Sequence, residues 1–262
     1  MTKKILITGI NSYVGNSFAE ICKDDFDITK ISLRDDSWKN LDFSQYDSIL
    51  HVAAIVHNSE NADKERYFSV NTELAIDVAE KARQAGVKQF VLLSTMAVYG
   101  EEGSLNSDIV INKDTIPKPN SFYGDSKLQA EIKLKSLESD NFDIAIIRPP
   151  MVYGDGSKGN YPKLVKIAKY AFMFPDIDNK RSVISIYNLS NEIGSIIESN
   201  QRGLFLPQDD EYFCTSQFIE NYRKNVLGKK TYLTKAFNPI IRLLAKKVGF
   251  INKVFGNLCY KD

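Results

Sequence analysis

The chain has 262 residues, of which 43% are hydrophobic and 26% are charged, and its formal net charge is +1. This composition excludes an intrinsically disordered chain and argues against nucleic acid as a partner held by bulk electrostatics. The apolar runs are far shorter than the roughly 18 residues of a membrane span, so we expect no transmembrane segment.

The chain starts with Met1–Lys4 and enters a strand-like run without an apolar signal core, which favours a cytoplasmic location. Two histidines, His51 and His57, are too few for a typical zinc site, so we expect no metal. Reduced thiols are expected of the cysteines, which are odd in number and lack Cys-x-x-Cys spacing: Cys22, Cys214 and Cys259.

Short runs rich in Ile, Val and Leu alternate with helical stretches along the first 150 residues. Buried parallel strands are predicted at Lys4–Thr8, Asp27–Leu33, Ser48–Ala53, Phe90–Ser94 and Asp143–Arg148. The stretches Tyr13–Lys23 and Tyr67–Gln84 read as helices between them. This alternation predicts the α/β class, with a Rossmann-like, doubly wound parallel sheet.

Beyond residue 150 the alternation breaks up, with a helical piece only near Lys163–Tyr170. We therefore predict a sheet domain of residues 1–150 and 183–202 and a smaller interleaved lobe of residues 151–182 and 203–262. Residues 223–262 carry a net charge of +9 and the remainder −8, so the lobe ends in a basic segment.

The first predicted strand runs into a glycine-containing turn and then a helix, which is the arrangement of a dinucleotide-binding loop. Gly9 permits the tight turn, the helix N-terminus attracts a pyrophosphate, and Gly15 allows close packing on the sheet. Ser12 stands where a glycine is usual, so an ordinary glycine turn remains an alternative. The predicted cofactor-binding residues of this loop are Gly9, Asn11, Ser12, Tyr13, Val14 and Gly15.

Tyr123 and Lys127 are four residues apart, which places a phenol and an ammonium on one face of a helix. A nearby ammonium favours the phenolate and lowers a phenol pKa from about 10. Such a tyrosine can exchange a proton with a sugar hydroxyl, although a solvated Tyr/Lys pair is the simpler reading of this spacing alone.

Four patterns in the observed order resemble the extended short-chain dehydrogenase/reductase family, in particular its NAD-dependent nucleotide-sugar 4-epimerases and 4-ketoreductases. They are Thr8–Gly15, His51–Ala54 on the fourth strand, Ser94-Thr95 with Val98–Gly100, and Tyr123-x-x-x-Lys127 continuing to Glu131; Arg148–Gly154 and Asn188-Leu189 add support.

The resemblance implies a catalytic triad of Thr95, Tyr123 and Lys127, with Tyr123 as the general acid/base and Lys127 also holding the nicotinamide ribose. It makes residues 1–150 and 183–202 the dinucleotide-binding domain and the smaller lobe the substrate-binding one. Further cofactor contacts would come from Asp42, from Ala53 and Ala54, and from Asn71 early in the fourth helix. The substrate contacts would be Asn160 and Arg181, although an arginine in a polar loop is equally a solvated surface residue.

The implied activity is NAD(P)-dependent redox at C4 of a nucleotide-diphosphate sugar, by a 4-epimerase or a 4-ketoreductase, for surface glycan precursors. Met96 and Ala97 replace the Asp-Glu pair of 4,6-dehydratases and cannot move protons, which argues against dehydration. A catalytically idle NAD(P)-binding sensor or scaffold is the alternative.

Arg34 directly follows the second strand, and its planar fork suits a 2′-phosphate, which favours NADP over NAD. Asp35 or Asp36 would serve NAD after a small shift in register, and Arg34 as a plain surface residue stays open.

The basic C-terminal segment carries an apolar stripe that the family pattern does not explain. The stripe comprises Phe237, Ile240, Ile241, Leu244 and Val248. Packing on the smaller lobe, a homodimer contact and docking on an anionic membrane surface are three alternatives for it.

Overall fold

The computed structural model of the protein describes residues 2–56 and 63–261. His57 lies outside the described residues. Within them the strands are β1 Lys4–Thr8, β2 Asp27–Ile31, β3 Ser48–His51, β4 Gln89–Leu93, β5 Val110–Ile111, β6 Asp143–Ile147, β7 Met151–Tyr153, β8 Met173–Pro175, β9 Val183–Ser185, β10 Gly203–Phe205, β11 Tyr232–Thr234 and β12 Cys259–Tyr260. The helices are α1 Tyr13–Ile21, α2 Lys64–Phe68, α3 Leu74–Gln84, α4 Phe122–Lys135, α5 Asn160–Tyr170, α6 Ile186–Glu198, α7 Thr215–Asn225, α8 Asn238–Leu244 and α9 Gly249–Phe255.

Six parallel strands form the main sheet, in the order β10-β6-β4-β3-β1-β2. The chain leaves β1 toward β2 on one side and returns to β3 on the other, so the direction of winding reverses at β1. Ligands of such sheets bind outside the carboxyl ends of the strands at this reversal. The predicted fold class, a doubly wound Rossmann-like sheet, is confirmed.

Both faces of the sheet are covered by helices because alternate strand residues point to opposite sides. Leu6 joins a core with Val78 and Ala82 of α3 and Ala130 of α4. Ile7 points the other way, toward α1, which packs against α6. The inner strands β1, β3, β4 and β6 are therefore buried on both faces, which explains their largely apolar sequences.

Two expectations about element numbering are wrong. Residues 32–47 are all described and form no strand, only a 3₁₀ turn at Asp36–Asn40, so His51 ends the third strand of the chain and not the fourth. Asn71 lies not in a fourth helix but in a π-helical turn, Ser69–Glu73, that interrupts the predicted Tyr67–Gln84 helix. Asn71 and Thr72 are both buried at this turn.

The chain divides into two compact units. Unit 1 comprises residues 1–100, 116–150 and 185–207, and unit 2 comprises residues 101–115, 151–184 and 208–262. These bounds differ from the predicted ones at residues 101–115, 183–184 and 203–207. Strand β10 belongs to unit 1 because it pairs with β6, and residues 101–115 belong to unit 2 because β5 pairs with β12.

Unit 2 is built from short elements around a small apolar core of Leu105, Ile177, Ala245 and Phe255. Its β11 pairs with β8 and its β12 with β5, both in parallel. Across the described parts of both units, every helix is too short or too polar to span a bilayer.

Candidate active site

Helix α1 begins at the carboxyl end of β1, where the winding reverses. Ser12 is its N-cap, with an extended backbone (φ −69°) and a hydroxyl that accepts a hydrogen bond from the Gly15 amide at 3.2 Å. This conformation needs no glycine, so the departure from the usual dinucleotide-binding loop is compatible with its geometry. The helix N-terminus retains amides and a partial positive charge that suit a pyrophosphate.

Gly9 allows two loops at the sheet edge to approach each other. Its φ is +102°, and a Cβ atom there would lie 3.0 Å from the backbone of Ala53. A larger residue would push the loop after β1 away from the loop after β3. Ala53 and Ala54, both half-buried, follow β3 at this point, and their small side chains leave room for a flat ligand. These residues fit the predicted dinucleotide.

Thr95 and Tyr123 meet at the carboxyl end of β4. Thr95 caps the 3₁₀ turn Met96–Tyr99, and its hydroxyl accepts from the Ala97 amide at 3.1 Å. A side-chain hydrogen bond joins Thr95 to Tyr123, whose ring is buried. Burial raises the pKa of Tyr123 to about 12, and the hydrogen bond from Thr95 opposes this rise only in part.

The pKa of Tyr123 is thus raised overall in the protein alone, and not lowered as expected, because burial outweighs the groups that favour the phenolate. Lys127 is itself fully buried, one turn along α4, and its Nζ donates to the carbonyl of Leu93 at 2.8 Å. Burial lowers the pKa of Lys127 to about 8, and the charge of Glu131 opposes this fall. At pH 7 the site holds a neutral phenol and, for the larger part, an ammonium.

Gly124 brings the start of α4 against the turn that follows Thr95. A Cβ atom at Gly124 would lie 2.6 Å from the carbonyl oxygen of Ala97, closer than any real contact. The absence of a side chain there thus sets the approach of Tyr123 to Thr95.

The π-helical turn holds α4 from the other side. The Asn71 amide bridges the loop after β3 and helix α4: it accepts from the Ile55 N–H at 2.7 Å and donates to the Ser126 hydroxyl at 3.0 Å. Thr72 donates to the Ser126 carbonyl at 2.7 Å. Since Ser126 lies between Tyr123 and Lys127, both hydrogen bonds fix the segment that carries the two groups. Within the chain, Asn71 thus connects the loop after β3 to helix α4. Its contact with the cofactor stays a prediction.

A buried charged network lies directly behind Lys127. Arg148 donates from Nε to Glu131 at 3.0 Å and from Nη2 at 2.5 Å, and its Nη1 donates to the Tyr99 hydroxyl at 2.7 Å. The Ser94 hydroxyl donates a short hydrogen bond to the same carboxylate. Glu131 thus ties helix α4 to the ends of β4 and β6, and it supplies a negative charge to Lys127.

His51 ends β3 as a neutral, structural histidine. Its Nδ1 lies 2.9 Å from the Thr8 hydroxyl, and its ring stacks on Phe90. Burial, reinforced by the charge of Lys127, lowers the pKa of His51 to about 3. It therefore does not exchange protons near neutral pH.

Beyond β2 an open cavity of about 520 Å³ is lined by Arg34, Asp35, Asp36, Lys39, Glu73 and Asp77 among others. Arg34 is exposed there, whereas the Asp35 carboxylate accepts the Ser37 amide at 3.0 Å. Asp42, also exposed, accepts the Ser44 amide at 2.9 Å. Their predicted cofactor contacts stay predictions.

The two predicted substrate residues lie in unit 2. Asn160 is exposed in the first turn of α5. Arg181 donates from Nη1 to the carbonyls of Glu102, Asn252 and Gly256 at 3.0–3.2 Å. This guanidinium therefore holds the backbone of unit 2, and its contact with a substrate stays a prediction.

A family model for the NAD dependent epimerase/dehydratase family matches residues 5–186. The chain belongs to this family. The match spans β1 through the start of α6 and includes the dinucleotide loop, Thr95, Tyr123 and Lys127. The predicted resemblance, the enzyme class and the nicotinamide cofactor are thereby confirmed at the level of the family.

Two relatives in the family indicate its range of substrates. The UDP-glucose 4-epimerase of Vibrio cholerae is 29% identical over 84% of this chain and 74% of its own length. The N-acetyl-alpha-D-glucosaminyl-diphospho-ditrans,octacis-undecaprenol 4-epimerase of Escherichia coli O157:H7 is 27% identical over 66% of this chain and 56% of its own.

The crystal structure of UDP-glucuronic acid 4-epimerase from Bacillus cereus in complex with NAD has the same fold. Its TM-score is 0.72 at 19% identity, covering 88% of this chain and 85% of that one.

Sequence reasoning assigned no role to Glu131, Tyr99 and Arg148, although it noted the segments that contain them. A charged residue one turn after Lys127, on a helix face that is otherwise buried, was the available signal. Its partner Arg148 comes from a strand end 17 residues away, and only the fold brings the two together.

Proposed function

We propose that the protein is a 4-epimerase that oxidises and then reduces C4 of a sugar carried on a nucleoside diphosphate. The observation that carries this proposal is the buried hydrogen bond between Thr95 and Tyr123, with Lys127 one turn away on α4. These residues lie at the carboxyl ends of the parallel strands, where ligands of such sheets bind. The 4-epimerase relatives support C4 as the reacting carbon.

A nicotinamide dinucleotide, when bound, supplies reversible acceptance of a hydride. The residues placed to hold it are the N-terminus of α1, with its loop from Gly9 to Gly15, the small side chains of Ala53 and Ala54, and the Lys127 ammonium. The negative pyrophosphate favours the helix N-terminus, and a ribose hydroxyl suits a buried ammonium donor.

With a nicotinamide dinucleotide bound as hydride acceptor, Tyr123 in its phenolate form would take the O4 proton at Oη while C4 gives up its hydride, so that C4 would become a carbonyl. After the keto sugar has turned its other face, the phenol of Tyr123 would return the proton to O4 as C4 is reduced, which would restore the phenolate. Thr95 hydrogen-bonds the phenolic oxygen and favours its ionised form.

Because the pKa of Tyr123 is about 12, the residue holds its proton at neutral pH and is ready to act as an acid. Its action as a base depends on the positive charge of Lys127 and on the hydrogen bond from Thr95, which both favour the phenolate. Burial and these two groups thus have opposite effects on the pKa of Tyr123, and binding must lower this pKa for Tyr123 to act as a base.

For the dinucleotide, we propose NADP in preference to NAD. Arg34 is exposed on the cavity beyond β2, while Asp35 is engaged with the Ser37 amide. The same cavity also contains four carboxylates, which repel a 2′-phosphate: Asp35, Asp36, Glu73 and Asp77. Because Arg34 and these carboxylates favour different cofactors, the affinities for NADP and NAD should be compared directly.

Asn160 and Arg181 remain the proposed substrate contacts, and the cytoplasm remains the proposed location. A sugar carried on a polyprenyl diphosphate is a second candidate substrate, because the Escherichia coli relative acts on one. Both carriers place a diphosphate beside the sugar, so the same chemistry at C4 serves either.

Incubation with sugar nucleotides and polyprenyl-diphosphate sugars, with and without NADPH, tests the proposal by chromatography of the products. Interconversion of C4 epimers without added reductant supports it. Consumption of NADPH with a 4-keto sugar alone would indicate a ketoreductase instead, and no turnover of any substrate would favour an idle sensor or scaffold.

Tyr123→Phe tests the assigned acid/base group, with Tyr232→Phe as the control because Tyr232 is largely exposed in unit 2. We expect a loss of at least about 100-fold in turnover for Tyr123→Phe, within the range of general acid/base catalysis, and an unchanged rate for the control. Retention of most activity in Tyr123→Phe would contradict the mechanism.

A further inference from the structure

The segment from α8 to α9 presents two separate sets of apolar side chains. One set points inward: Ala245 and Phe255 are buried in the core of unit 2, with Ile241, Ile251 and Val254 packed against them. The other set is between 41% and 66% exposed and consists of Phe237, Ile240, Leu243, Leu244, Val248 and Phe250. We call this second set the C-terminal apolar face.

Helical spacing makes three members of the C-terminal apolar face neighbours. Ile240, Leu243 and Leu244 are three and four residues apart, so they share one face of α8. Ile241 and Ala245 lie on the adjacent face and make the contacts to the core. Packing on the smaller lobe, one of the three alternatives for the apolar stripe, thus explains Ile241. It does not explain the exposed residues of the C-terminal apolar face.

Cations surround this face, and the sequence between residues 221 and 261 contains no Asp or Glu. The surrounding exposed cations are Lys235, Arg242, Lys246, Lys247 and Lys253. Lys253 pairs with Glu102 at 3.0 Å, Lys235 pairs with Asp176 at 3.8 Å, and Arg242 donates to the Leu105 carbonyl at 3.1 Å. Lys246 and Lys247 follow α8 directly, beside Leu243 and Leu244.

We propose that the C-terminal apolar face docks on an anionic lipid bilayer. Exposed aromatic and aliphatic side chains insert at the boundary of headgroups and acyl chains, and lysines beside them attract acidic headgroups. Residues 221–261 contribute no carboxylate that such a surface would repel, and Glu102 and Asp176 beside them are each paired with a lysine.

Charge argues against a second copy of the chain as the occupant. A symmetric dimer through this face would place the same patch of cations on both sides of the interface. Like charges opposed across a contact disfavour it, whereas an acidic membrane surface complements all of them.

Sedimentation with sucrose-loaded vesicles tests the proposal. We expect the full chain to bind phosphatidylcholine vesicles that contain about 30% phosphatidylglycerol, and not pure phosphatidylcholine vesicles. Binding should weaken when salt rises from about 50 mM to about 500 mM, since the attraction of the lysines is screened.

Two variants separate the apolar and the charged contributions. Leu243→Asp and the double variant Lys246→Glu/Lys247→Glu should each lower the partition coefficient at least about tenfold. The control is Ile116→Asp, because Ile116 is as exposed as Leu243 but lies in unit 1. The far-UV circular dichroism of all variants should match the parent, since the changed side chains are exposed.

Failure of the parent chain to bind the acidic vesicles would overturn the proposal, as would an equal loss of binding in Ile116→Asp. A concentration-dependent dimer in light scattering that Leu243→Asp dissociates, without vesicle binding, would assign the face to a second copy instead. Epimerase activity of Leu243→Asp in detergent-free solution should equal that of the parent, so this test is independent of the proposed reaction.

Discussion

The ion pair between Arg148 and Glu131, one turn after Lys127 on α4, allows a sharp test of how this site is supported. The Arg148 and Glu131 side chains are only 8% and 4% exposed, and Arg148 reaches the carboxylate through two of its nitrogens. Arg148→Met keeps most of the side-chain volume and leaves the carboxylate buried without its partner. Removing one member of such a pair costs about 3–5 kcal/mol, because the remaining charge is uncompensated.

That loss is a large part of the roughly 5–15 kcal/mol by which a domain is stable. Urea unfolding followed by Trp38 fluorescence measures it well. Trp38 is the only tryptophan of the chain, and it is buried in the core of unit 1, which also contains the ion pair. The signal therefore reports the unit in which the change is made.

The matched control is Lys23→Met, because Lys23 pairs with Glu20 at 2.9 Å while both side chains are well exposed. We expect no measurable change there. The double variant Glu131→Gln/Arg148→Met should be more stable than the sum of the single losses predicts, with a coupling of about 1–3 kcal/mol. An Arg148→Met midpoint equal to that of the control, or strictly additive losses, would refute the reasoning.

Four further changes test other parts of the site. Gly124→Ala should abolish most turnover and destabilise unit 1, since its Cβ would meet the Ala97 carbonyl, whereas Gly194→Ala in α6 should be neutral or stabilising in the same urea assay. Burial lowers the pKa of His51 to about 3, so between pH 6.5 and 3 the unfolded chain binds up to one more proton than the folded chain. The free energy of unfolding should therefore fall as the pH falls through this window, and it should fall less steeply in His51→Asn. The rate should decline above pH 8 as Lys127 loses its proton, and a flat profile from pH 7 to 10 would contradict its role as a cation. Arg34→Ala should reduce NADPH binding more than NADH binding in fluorescence titrations, and an unchanged ratio would remove Arg34 from cofactor selection.

The sequence predicted five of the six strands of the main sheet and missed β10, because the inner strands are buried on both faces whereas β10 is a short edge strand. Strands buried on both faces appear as unbroken apolar runs, and β1 has the predicted bounds Lys4–Thr8. The pairing of Val110–Ile111 with Cys259–Tyr260 joins segments about 150 residues apart, and no local pattern encodes it.

For the site, spacing placed Tyr123 and Lys127 together on α4, but it gave the wrong direction for the pKa of Tyr123. The outcome depends on burial by elements distant in the chain, and burial outweighs the hydrogen bond from Thr95. The π-helical turn at Asn71 likewise depends on contacts with Ser126, 55 residues later.

Residues 32–47 form no strand, so β2 is the edge strand of the sheet and the stretch that follows it makes no strand pairing. The side chains of Trp38 and Phe43 are buried in the core, whereas Arg34, Asp35 and Asp36 do not take part in the pairing between β1 and β2. Segments from homologues with the opposite coenzyme preference could therefore be grafted between β2 and β3, if both aromatic anchors are kept. If Arg34 selects the coenzyme as proposed, such chimaeras would exchange selectivity without changing the register of the strands.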